Sequence, residues 1–93
     1  MLEYFVKEGE APRIQLGTAN ILSGQRLPSE SYSLHEHQSE ISYVISGSCT
    51  FHADGESVIL EEGDVLYNPS GTKHFVENAE GKPCVVFWIL VEE

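Results

Sequence analysis

Glu40 to Leu60 reads EISYVISGSCTFHADGESVIL, and the reading of this stretch decides the fold class. Between Ser46-Gly47-Ser48 and Asp54-Gly55, the apolar Cys49, Phe51 and Ala53 alternate with Thr50 and His52, the two-residue period of a strand with one face turned inward. Asp54-Gly55 supplies two residues that accept positive φ, the requirement of a type I′ hairpin turn. The segments on either side of it are therefore expected to pair.

The same pattern extends outward in both directions. Strands are expected at Ile14–Leu22, Glu30–His37, Glu40–Ser46, Cys49–Ala53, Glu56–Leu60, Asp64–Asn68, His74–Asn78 and Pro83–Glu92. Glu62-Gly63, Pro69-Ser70-Gly71 and the run Ala79 to Pro83 punctuate them as turns. No segment sustains an apolar i, i+3, i+4, i+7 pattern, so the chain reads as all-β, a small antiparallel barrel or jelly roll. At 93 residues it has room for a single domain, 1–93.

Charge narrows the partners. Five Lys and Arg against fifteen Asp and Glu give a net charge of −10, a field that repels phosphate backbones and anionic lipid surfaces. No nucleic-acid or membrane partner is expected. The longest apolar run, Cys84 to Val91, has eight residues, against the ~20 that span a bilayer as a helix. With no apolar leader between Met1 and Glu10, a cytoplasmic location is expected. Cys49 and Cys84 lack metal-type spacing and read as buried free thiols.

Three of the four histidines can be brought to one surface. His35 and His37 leave the same face of a strand. If Gln38-Ser39 forms a two-residue turn, His37 opposes Glu40 and His35 opposes Ser42. Two imidazoles and a carboxylate on rigid strands suit a divalent metal. His74, after the rigid turn Pro69 to Lys73, is the candidate fourth ligand. Each of these residues alone has a plainer reading: an exposed histidine pair, a solvated carboxylate, a histidine at a loop end.

In combination they carry a resemblance. Gly63, Pro69, Gly71, His74 and Asn78 fit the second motif of the cupin family, G-x5-P-x-G-x2-H-x3-N, without a mismatch. The run from His35 to Glu40, followed by six residues and Gly47, resembles the first motif, G-x5-H-x-H-x3or4-E-x6-G. Motif 1 spans about 29–47 and motif 2 spans 63–78, together about half the chain. Two departures stand out. Ser29 occupies the leading glycine position, and two residues instead of three or four separate His37 from Glu40. The shorter spacing leaves two versions of the site open, one with Glu40 as a ligand and one with three histidines only.

The resemblance implies a small single-domain cupin with His35, His37, Glu40 and His74 around one divalent transition metal, which could be Fe, Mn, Ni, Co, Zn or Cu. It implies an open coordination position, and a metal-dependent enzyme acting on a small molecule by dioxygenase, isomerase or lyase chemistry. The alternative is a non-catalytic ligand- or metal-sensing module, which the wording EISYVISG also resembles; a metal-free structural barrel is the third reading. A homodimer is expected by resemblance, and because so small a core gains from a partner. Gly63, Pro69 and Gly71 read as turn formers, Asn78 as a backbone-bonding residue and His52 as a rim or surface residue.

Overall fold

The Asp54-Gly55 hairpin forms as its sequence requires: Asp54 and Gly55 take φ of 49° and 77°, and Ala53 faces Glu56 across the turn. The computed structural model describes residues 2–11, 13–31, 33–34, 36–78 and 81–92. Among them the strands are β1 (Leu2–Ala11), β2 (Ile14–Ile21), β3 (Arg26–Leu27), β4 (Ser33–Leu34), β5 (Gln38–Ser46), β6 (Ser48–Ala53), β7 (Glu56–Glu61), β8 (Val65–Asn68), β9 (Lys73–Glu77) and β10 (Cys84–Glu92). There is no helix among them, and the protein is the expected all-β antiparallel jelly roll.

Two sheets face one another. The first has the order β1-β2-β10-β5-β8; the second has β3-β9-β6-β7, with β4 also on β9. Period-2 alternation sends Cys84, Val86, Trp88 and Leu90 of β10 inward and leaves Val85, Phe87, Ile89 and Val91 on the outer face. On β5 the inward set includes Ser42 and Val44. One apolar cluster joins the sheets through Ile21, Val44, Cys49, Phe51, Leu60, Cys84 and Val86, and a second holds Ala19, Trp88 and Leu90. Leu27 packs against both.

Two motif residues hold one end of this sandwich. Gly47, at φ 78°, lies so close to the start of β10 that a Cβ there would stand 2.3 Å from the Pro83 carbonyl oxygen. Only glycine fits both the conformation and the space. Asn78 is 1% exposed and acts on backbone, as expected: its Nδ2 donates to the carbonyls of Ile21 (2.8 Å) and Lys82 (2.6 Å), while its N–H donates to Gln25 O (2.9 Å). One side chain thus ties the end of β2 to the loop entering β10. Cys49 and Cys84 are buried and free. The hydrogen bond between their side chains, followed by burial, pushes the Cys49 thiol up.

The strand expected at Glu30–His37 is the part the structure corrects. Among the described residues there, Ser33–Leu34 is the strand, and it pairs with Lys73 and His74 of β9, while Arg26–Leu27 pairs with Val76 and Glu77 farther along the same edge. Pro28 has no N–H to continue that ladder. The Arg26 guanidinium takes over locally, donating from Nε to Pro28 O (3.1 Å) and from a terminal nitrogen to Ser31 O. The chain then crosses to the other sheet between Leu34 and Gln38, so it does not fold back in a hairpin at Gln38-Ser39. Those two residues lie within β5, opposite Glu92 and Val91.

Candidate functional site

The crossover sets where the predicted ligands go. Ser42 pairs with Trp88 and Leu66, and Glu40 with Leu90 and Asn68, so the expected cross-strand pair His37–Glu40 is not made. His37 sits exposed in the turn just before β5. His35, and with it the expected His35–Ser42 pair, lies outside the described residues.

Glu40 and His74 do meet. Glu40 comes from β5 in the first sheet and His74 from β9 in the second. Their inward side chains bring Glu40 Oε1 to 3.5 Å from His74 Nε2, with side-chain exposures of 15% and 7%. Burial pushes the Glu40 carboxyl up to about 7, against the opposing effect of a hydrogen bond with Ser42. Burial also moves His74 below its ordinary value, partly offset by its bond to the Thr72 carbonyl. Each group resists carrying charge there, for the same reason of lost solvation.

The far side of the imidazole is anchored. His74 Nδ1 lies 3.1 Å from Thr72 O and 2.8 Å from the Asn68 amide, and the ring stacks on Phe51 with centroids 5.4 Å apart. A carbonyl accepts only from N–H, so with Nδ1 protonated toward Thr72 O the Asn68 amide must turn to present its oxygen in place of the Nδ2 that stands 2.8 Å from the ring, an assignment made from the hydrogen-bond network. Nε2 is then the lone-pair nitrogen, turned toward Glu40. A neutral imidazole whose other nitrogen donates to a carbonyl is the usual state of a metal-binding histidine. In their chemistry Glu40 and His74 fit two ligands of a divalent ion. No group of three or more His, Cys, Asp or Glu gathers as a metal cluster among the described residues.

Both side chains open onto a cavity of about 320 Å³ between the sheets, whose wall includes members of both core clusters. The cavity is partly open to solvent. Ser42, two residues from Glu40 on β5, and Val76, two residues from His74 on β9, line it by strand parity, and Trp88 lines it from β10. Asn68, Ser33 and Phe51 were not singled out in the sequence. Asn68 had one available signal, its position at the end of a strand immediately before the Pro69-Ser70-Gly71 turn.

Other candidates lie elsewhere. His52 is on the outer face of the second sheet, with Nε2 2.8 Å from Glu77 Oε1, Nδ1 2.6 Å from Ser57 Oγ, and its ring stacked on Phe75. These contacts brace neighbouring strands β7, β6 and β9. Tyr67 is 61% exposed and does not line the cavity. Arg26 is engaged by the loop it closes and lies 3.9 Å over the Phe75 ring.

A two-sheet antiparallel barrel with a buried carboxylate–imidazole pair on its inner wall defines a barrel protein with an internal site. The sequence profile of the cupin domain matches residues 21–90, and the chain belongs to that family. An oxalate-binding protein of Thermotoga maritima is 40% identical over 53 residues, covering 55% of this chain and 44% of that protein. The chain thus spans under half the length of this curated relative. An uncharacterised protein of Methanocaldococcus jannaschii is 30% identical over 92 residues, covering 89% of this chain and 74% of that one. The cupin domain of an XRE-family transcriptional regulator from Enterobacter cloacae superposes with a TM-score of 0.87 at 17% identity, covering 100% of this chain and 96% of that one. At that identity the likeness is one of fold. No helix among the described residues is long and apolar enough to cross a membrane.

Proposed function

We propose that the protein is a metal-binding cupin that acts on a small molecule inside its barrel, with Glu40, His74, His35 and His37 as the ligand set. The observation that carries this reading is the pair Glu40–His74: two donors from opposite sheets, 3.5 Å apart and shielded from solvent. A divalent ion would supply Lewis-acid polarisation of a bound oxygen atom or activation of a bound water. The chain's own contributions are separable. Asn68 and Thr72 hold the His74 ring and its Nδ1 proton, Glu40 balances positive charge, and the apolar wall excludes water. For His37 the reading requires the turn before β5 to bring an exposed ring inward.

Elemental analysis of protein reconstituted with first-row metals tests this directly. About one equivalent is expected in the wild type, with loss in His74→Ala and reduced content in His35→Ala and His37→Ala. No metal uptake in any sample would overturn it.

A second reading, a non-catalytic ligand-sensing module, is favoured by the near-complete overlap with the regulator's cupin domain. Saturable binding without turnover by metal-loaded protein would select it. The oxalate in the name of the Thermotoga relative is not carried over, because this chain matches only 44% of that protein.

We also propose a homodimer through the outer face of the first sheet. The outward positions Ile14, Leu16, Thr18 and Asn20 of β2, Ser39, Ile41, Tyr43 and Ile45 of β5, Val65 and Tyr67 of β8, and Val85, Phe87, Ile89 and Val91 of β10 carry no charge. On a chain of net charge −10, this charge-free stretch of β2, β10, β5 and β8 is where a second copy can approach without repulsion.

A further inference from the structure

On the outer face of the second sheet a hydroxyl, an imidazole and a carboxylate stand in line across three neighbouring strands. Ser57 Oγ of β7 lies 2.6 Å from His52 Nδ1 on β6, and His52 Nε2 lies 2.8 Å from Glu77 Oε1 on β9. Phe75, the cross-strand partner of His52, stacks on its ring with centroids 4.3 Å apart and an interplanar angle of 15°. The imidazole is thus held in one plane between its two polar partners.

The direction of the hydrogen bonds follows from the groups themselves. An ionised carboxylate only accepts, so Nε2 carries the ring proton and donates it to Glu77. Nδ1 of the neutral ring then presents a lone pair, and the Ser57 hydroxyl donates to it. A hydroxyl whose proton points at an imidazole lone pair, with that imidazole oriented by a carboxylate, is the arrangement that activates serine as a nucleophile.

The surroundings admit a substrate. Ser57 is exposed, while His52 and Glu77 are partly covered. Among the described residues β7 is an edge strand, with a neighbour only on its β6 side. Its two-residue turn closes on Ala53 and Glu56, the hydrogen-bonded pair of such a hairpin. Alternation then makes Ser57–His52 a non-hydrogen-bonded pair, which draws the two side chains together and turns the Ser57 N–H off the open edge. A carbonyl oxygen approaching Oγ from that side meets this donor. Two residues along the same face Ile59 is exposed, an apolar neighbour for a short aliphatic chain.

We propose that Ser57 is a nucleophile that takes the acyl group of a short-chain ester or thioester, with His52 as general base and Glu77 as a positioning residue. Ser57 Oγ bonds to the acyl carbon as its proton passes to His52 Nδ1. The bond from that carbon to the leaving oxygen or sulfur breaks, and the leaving group takes the proton from His52. Acyl-Ser57 and a free alcohol or thiol result. The step draws on no metal, so it stands or falls apart from the reading of the barrel interior.

The full chain, metal-loaded and in parallel chelator-treated, is mixed with p-nitrophenyl butyrate. Nitrophenolate release is followed by absorbance, and peptide mass spectrometry locates the butyryl group. That group is expected on Ser57 in both preparations. Initial release should fall at least about tenfold in Ser57→Ala and in His52→Gln. Glu77→Gln can keep the hydrogen bond but not the charge, and should lower release about threefold or more. Hydrogen bonds that only brace the strands would leave release unchanged in all three variants. Equal release by wild type and Ser57→Ala overturns the proposal, as does a butyryl group found on other residues and not on Ser57. The peptide map needs only the wild type, so the test survives a variant that fails to fold.

Discussion

Replacing Glu40 by Gln should stabilise the metal-free protein, and by an amount that depends on pH in a definite direction. The carboxyl has been moved by burial from an ordinary 4.5 to about 7. In the unfolded chain it loses its proton near 4.5, whereas in the folded chain it keeps it until about 7. Across that window the folded state binds more protons, so stability falls as pH rises. At about 1.4 kcal/mol per pH decade, the charged form above pH 7 costs the fold about 3 kcal/mol. Glutamine has nearly the same shape and no charge, so it should escape that cost.

The assay is thermal and urea unfolding of chelator-treated wild type and Glu40→Gln between pH 4.5 and 8. The two should be nearly equal in stability at the acid end. By pH 8 the variant should lead by about 3 kcal/mol, on the order of 10 to 20 °C in melting temperature for a domain of this size. His74 pulls the other way in both proteins. Its lowered value gives stability that is complete above its ordinary 6.5 and is lost as pH falls below it, so the comparison is read above pH 6.5, where that contribution is complete in the wild type. A difference that stays flat with pH refutes the claim that burial raises the Glu40 carboxyl. A variant that is less stable at pH 8 shows that the carboxylate is ionised and paired. Loading with a divalent metal should reverse the sign, because the substitution then deletes a ligand.

The remaining predictions concern the scaffold and the assembly. Gly47→Ala should cost roughly 2 to 4 kcal/mol in urea unfolding, because the added Cβ meets backbone at 2.3 Å as well as an unfavourable φ. Gly63→Ala, with φ 90° and nothing within 4 Å, should cost only about 1 kcal/mol; equal losses would discredit the contact with Pro83. Cys49 and Cys84 should resist a maleimide in the native protein and both react in denaturant, and fast native labelling of either would contradict their burial. Sedimentation at tens of micromolar should show a dimer that Val65→Glu with Tyr67→Lys converts to a monomer, and a wild type that sediments as a monomer removes the outer-face interface.

Much of the fold was legible because Gly, Pro and Asp-Gly punctuate it. The hairpin at Asp54-Gly55, the bend at Gly47 and the strands from β5 to β10 fall where the alternation and the turn residues put them. Two strands were not read. β1 carries Glu3, Lys7, Glu8 and Glu10, the charged pattern of an edge strand, which hides alternation. β3 is only Arg26–Leu27, too short to show a period. The hairpin assigned to Gln38-Ser39 failed for a further reason: local spacing cannot tell a chain that turns back from one that crosses to the facing sheet. Only the pairing of Ser33–Leu34 with β9 reveals the crossing.

That crossing also explains why Glu40 and His74 could be named from motifs and yet not be joined by strand arithmetic. They are not neighbours in any sheet. Glu40 reaches the interior from β5 and His74 from β9, and their approach depends on how closely the two sheets sit. The parts of the motifs that touch no ligand set that spacing. Asn78 binds β2 to the loop entering β10, and Gly47 lets the turn out of β5 lie against Pro83. Asn68 reaches from the first sheet to the His74 ring in the second. A loss at Asn78 or Gly47 should therefore change the Glu40–His74 distance as well as global stability. Residues that look purely architectural in sequence fix the geometry on which the chemistry depends.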